Sequence, residues 1–112
     1  MPEMIKTGLL LVDDDDDLRE TLRLILEHGG FEVLSAGNVN DALKLIGANI
    51  FDVLVSDLHV PNDGDGLTVV SGVRHSNPKA VTVIFSAHPE MKAAAAAILA
   101  QTDEVFVSHR PS

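Results

Sequence analysis

The stretch TGLLLVDDDDD, residues 7–17, passes from apolar to acidic in one step. Thr7 to Val12 is a continuous apolar run, the pattern of a strand buried on both faces as parallel sheets use. The acids that follow then sit at the carboxyl end of that strand, where Asp15 or Asp16 can cap a helix. Leu18, Leu22, Ile25 and Leu26 share one face at helical spacing, and Gly29-Gly30 stops the helix.

The same unit recurs downstream. Residues 31–35 (FEVLS) form a second strand, and residues 38–46 a helix with Ala42, Leu43 and Ile46 on one side and Asn38 or Asn40 as its cap. Residues 51–56 (FDVLVS) form a third strand that again ends at an acid, Asp57. After a loop with Pro61, Gly64 and Gly66, a third helix carries Leu67, Val70 and Val73 and stops at Asn77-Pro78. Residues 81–85 (VTVIF) make a fourth strand, residues 89–100 an alanine-dominated helix, and residues 105–107 a short fifth strand. Strands alternating with amphipathic helices predict a single α/β domain over residues 1–112, doubly wound, with helices on both faces. No helical stretch follows the fifth strand before Ser112. The pattern therefore predicts a missing fifth helix, a bare side of the sheet, and a homodimer or swapped contact over the fifth strand.

Composition narrows the function. The 112 residues carry 17 acidic and 8 basic side chains, a net charge of −9, which argues against direct nucleic-acid binding. Hydrophobic residues make up 46% of the chain, enough for one ordinary core. There is no cysteine, so disulfides and thiolate metal sites are excluded. No apolar run approaches the roughly 18 residues of a membrane span. Met1-Pro2-Glu3-Met4 lacks a basic region leading into an apolar stretch, and a cytoplasmic protein is the expectation. The histidines at 28, 59, 75, 88 and 109 show no i, i+4 pairing that would suggest metal binding through their rings.

Ligands of open α/β sheets bind outside the carboxyl ends of the strands. Asp13 and Asp14 follow the first strand and Asp57 the third, so neighbouring strands would bring the three carboxylates into one crevice. Like charges ~4 Å apart repel by roughly 4 kcal/mol near a protein surface, a penalty that a hard divalent cation removes. Carboxylate oxygens suit Mg²⁺, and Mg²⁺ with open coordination positions serves phosphoryl transfer. Ser86 directly follows the fourth strand and can offer a hydroxyl to a phosphoryl oxygen. Arg110 is the nearest cation to the end of the fifth strand.

Three motifs then carry a resemblance. Residues 9–20 (LLLVDDDDDLRE), 53–61 (VLVSDLHVP) and 84–88 (IFSAH) resemble, in this order, the acidic-pair, phosphoacceptor and Ser/Thr-Ala switch motifs of the receiver domains of two-component response regulators. The resemblance implies a flavodoxin-like fold with a five-stranded parallel sheet of order 2-1-3-4-5. It implies Asp57 as the phosphoacceptor and a Mg²⁺ ligand, Asp14 as a direct ligand, Asp13 as one acting mainly through water, and the backbone carbonyl of His59 as another. Ser86 would be the switch hydroxyl. The implied partners are a sensor histidine kinase and an output domain or effector protein, and the implied role is phosphoryl acceptance rather than turnover of a small substrate.

The chain also departs from that family. Where the family carries Lys-Pro after the fifth strand, an ungapped alignment places Ser108 and His109; two extra residues would instead place Arg110-Pro111 there. Arg is a poor substitute for a compact ammonium. The lost lysine motivates an alternative, a degenerate receiver acting through protein contacts without phosphorylation. A remote alternative is a haloacid-dehalogenase-like phosphatase, suggested by two aspartates spaced by one residue, Asp13 and Asp15.

Overall fold

A computed structural model of the protein describes residues 7–58, 60, 62, 64–85 and 89–101. Their elements alternate without exception: β1 (Gly8–Val12), α1 (Asp16–His28), β2 (Glu32–Ala36), α2 (Val39–Ala48), β3 (Val53–Asp57), α3 (Asp65–Ser76), β4 (Val81–Phe85) and α4 (Pro89–Gln101). The strands form one parallel sheet of order β2-β1-β3-β4. This is the predicted architecture as far as the fourth strand. The predicted fifth strand, residues 105–107, lies outside the described residues.

Strand alternation divides the core. Leu10 and Val12 of β1 and Leu54 of β3 point to one face, where they pack with Ala42 and Ile46 of α2 and Val69 and Val73 of α3. Leu9, Leu11, Val53 and Val55 point to the other, against Leu22 and Leu26 of α1 and Ala96 of α4. All seven of these strand residues are at most 1% exposed, as expected of central strands covered on both sides.

Local chemistry sets the helix ends. The Asp15 carboxylate accepts from the Leu18 N–H at 3.0 Å and Asn38 accepts from the Asp41 N–H at 2.8 Å, each satisfying a donor that the helix leaves open. After α1, Gly30 takes a left-handed φ of 105°, which lets the chain turn at once into β2. The Asn77 side-chain amide donates to the Phe51 carbonyl at 2.9 Å, tying the end of α3 to the start of β3.

On one face of the sheet α4 joins α1, with Ala93, Ala96 and Leu99 packed in the same core as Leu22 and Leu26. Handedness fixes a helix's face only when a parallel strand follows it in the sheet, and β4 is the last described strand. Small side chains permit the approach. A Cβ at Gly29 would lie 2.4 Å from the Cβ of Ala100, so the end of α1 nearly touches α4. The homodimer predicted over the fifth strand concerns residues outside those described.

Candidate functional site

The β1–β3 register sets Val12 opposite Ser56, so the next residues, Asp13 and Asp57, emerge side by side from the sheet's carboxyl edge. Both continue the parity of Leu9-Leu11 and Val53-Val55 and so lean toward the face covered by α1 and α4. Asp14, one residue on, is exposed. Carboxylate oxygens of Asp13, Asp14 and Asp57 all lie within 4.8 Å of one another. The predicted convergence is met.

The turn that holds Asp13 is closely bound. Its N–H donates to the Ala36 carbonyl at 3.1 Å, its Oδ1 accepts from the Asp15 N–H at 2.9 Å, and its carbonyl accepts from the Arg19 guanidinium at 2.7 Å. Asp57 is equally constrained. The Ser56 hydroxyl donates to its carbonyl at 2.9 Å, and Gly66 passes so near that an added Cβ would lie 2.4 Å from the same oxygen. Gly66 thus lets the first turn of α3 lie directly against the end of β3.

The structure adds a residue that the sequence reading did not single out. Lys92 of α4 reaches into the crevice, and its Nζ donates to Asp57 Oδ2 at 2.5 Å and to Asp13 Oδ2 at 3.0 Å. Lys92 is only 6% exposed, Asp13 1% and Asp57 9%, so this is a largely desolvated three-charge cluster. Burial works against the ammonium, but the hydrogen bonds it donates to Asp57 and Asp13, with the charges of those carboxylates, outweigh it and hold the Lys92 pKa above the ordinary lysine value. The signal for Lys92 was faint: it is the one cation in an otherwise alanine-rich helix, four residues before the buried Ala96. The sequence points instead to Arg110 as the nearest cation. His59, Ser86 and Arg110 lie outside the described residues.

The cluster can do two things chemically. Its carboxylate oxygens could hold a hard divalent cation, and the carboxylate at the end of β3, beside a positive charge, could serve as a nucleophile. A doubly wound α/β sheet with an acidic crevice at its carboxyl edge defines the class. The chain belongs to the response regulator receiver family, for the profile described as "Response regulator receiver domain" matches residues 9–107.

Relatives agree. The chain is similar to the response regulator protein PilR of Pseudomonas aeruginosa, with 31% identity over 87% of this chain and 22% of the relative. It is also similar to the DNA-binding transcriptional regulator NtrC of Proteus hauseri, 32% identical over 81% of this chain and 19% of the relative. The chain thus spans about a fifth of these curated relatives. Among solved structures, it resembles a response regulator from Burkholderia pseudomallei, determined with a phosphorylated aspartic acid, calcium ion and citrate. That match has 28% identity and a TM-score of 0.65 over 86% of this chain and 56% of the other. The chemotaxis response regulator CheY4 of Vibrio cholerae matches with 26% identity and a TM-score of 0.65, over 82% and 81% of the two chains. Among the described residues, no helix is long and apolar enough to cross a membrane.

Proposed function

We propose that the chain is a receiver domain in which Asp57 accepts a phosphoryl group from a sensor histidine kinase, with Mg²⁺ bound beside it, and that this switches contacts with an output domain or effector protein. The observation that carries the reading is the meeting of Asp13, Asp14 and Asp57 within 4.8 Å at the end of β1 and β3. Bound there, Mg²⁺ supplies charge neutralisation for the phosphoryl oxygens. Asp14 and Asp57 would hold it, with Asp13 reaching it mainly through water and the His59 carbonyl adding a ligand.

The chain's own residues do the rest. An Asp57 carboxylate oxygen forms the bond to phosphorus while the donor's bond to phosphorus breaks. Arg19 and the Asp15 N–H keep Asp13 facing inward. Lys92 supplies positive charge beside the transferred group, and Ser86 donates its hydroxyl to a phosphoryl oxygen. Arg110 is a second candidate for that charge. The role is that of an acceptor that changes state once per transfer. A crystal soaked with Mg²⁺ and beryllofluoride tests this: beryllium on an Asp57 oxygen beside a metal touching Asp14 is expected. A bare Asp57 in crystals that do bind Mg²⁺ would contradict it.

A second reading, a receiver that signals without phosphate, draws on the Lys92 pair, which already neutralises Asp57. Normal Mg²⁺ binding with no phosphoryl adduct would favour it. The phosphatase reading draws less support, because the Asp15 carboxylate caps α1 by accepting from the Leu18 N–H.

A further inference from the structure

The position of Lys92 carries a consequence for how the crevice takes a cation, and it rests on the reading of Asp13, Asp14 and Asp57 as a metal site. Both carboxylate oxygens of Asp13 have partners: Oδ1 accepts from the Asp15 N–H and Oδ2 from Lys92. Asp57 Oδ2 accepts from the same ammonium. A divalent cation approaching these oxygens meets a positive charge already there, and the two repel strongly because little water lies between them.

Lys92 cannot yield without affecting its helix. It shares a buried stripe with Ala96, and that stripe continues through Leu99 into the core against Leu22 and Leu26 of α1. Farther along, Ala100 abuts Gly29. The ammonium is thus one end of a packed helix rather than the tip of a free arm. We propose that Lys92 is the crevice's built-in counter-ion: it holds divalent-cation affinity down and ties α4 to the crevice, so that a cation entering at Asp13 and Asp57 loosens α4.

An ion pair with a purely structural role makes the opposite prediction, since its removal would disorder Asp13 and Asp57 and weaken cation binding. The sign therefore decides. Calorimetric titration of Mg²⁺ into wild type, Lys92→Gln and Lys92→Arg should be combined with hydrogen exchange of the α4 amides, with and without saturating Mg²⁺. Lys92→Gln is expected to bind Mg²⁺ at least tenfold more tightly than wild type, and Lys92→Arg, which keeps the charge, less tightly than Lys92→Gln. In wild type, Mg²⁺ should speed α4 exchange at least threefold. Equal or weaker binding by Lys92→Gln overturns the role of Lys92 while leaving the metal site standing. If Lys92→Gln does not fold, unchanged α4 exchange in Mg²⁺-saturated wild type overturns it instead. Absence of Mg²⁺ binding in every protein overturns the metal site itself and the proposal with it.

Discussion

Lys92, Asp13 and Asp57 form a cluster in which each charge depends on the others. Removing one member of a largely buried pair leaves the rest uncompensated, which typically costs about 3–5 kcal/mol. Lys92→Met should therefore lower the stability of the metal-free protein by about 3 kcal/mol in urea unfolding, and Mg²⁺ should restore much of it. A loss under ~1 kcal/mol would mean that solvent already screens the cluster. The pH dependence has a definite sign. Because the Lys92 pKa is raised in the folded protein, its contribution is complete below the unfolded lysine value of ~10.4 and is lost as pH rises through the folded value. In chelator, wild type should lose more stability than Lys92→Met above pH ~10.4, and parallel curves would contradict this. At this scale the three acids were legible, because apolar strands that stop abruptly at acid announce side chains at a sheet edge. Lys92 was not legible. A helix of alanines shows no apolar stripe, so nothing in its periodicity marked residue 92 as facing inward.

The elements were legible to within a few residues wherever local chemistry governs their ends. β4 spans the predicted residues, α1 ends at Gly29 as expected, and Asn38 caps α2. What could not be read was the face that α4 takes, since that depends on packing with α1, remote in sequence. Two glycines separate packing from propensity. Gly29→Ala would drive a methyl group to 2.4 Å from the Ala100 Cβ, and such overpacking costs about 1–3 kcal/mol. Gly47, in α2, has nothing within 4 Å of an added Cβ, and Gly47→Ala should stabilise by about 0.5 kcal/mol through helix propensity. Paired urea unfolding curves check both. If Gly29→Ala is as stable as wild type, the close α1–α4 contact is wrong.

Across the whole molecule, one sheet edge gathers most of the chemistry while the two faces supply ordinary core. The five consecutive carboxylates at 13–17 illustrate the division: Asp13 turns inward to Lys92, Asp15 caps α1, and Asp16 pairs with Arg19 at 2.7 Å on the surface. The same side-chain type thus serves as site, cap and solvated charge within one turn, and position relative to the strand end decides which. Receiver family membership follows from this architecture and its relatives, whereas the use of Asp57 is a matter for chemistry. The most direct measurement is the intact mass of the protein after brief incubation with acetyl phosphate and Mg²⁺, compared with Asp57→Ala treated alike. Wild type should gain about 80 Da in a Mg²⁺-dependent manner and Asp57→Ala nothing. An unmodified wild type that nevertheless binds Mg²⁺, or an equal gain in Asp57→Ala, would contradict Asp57 as the acceptor.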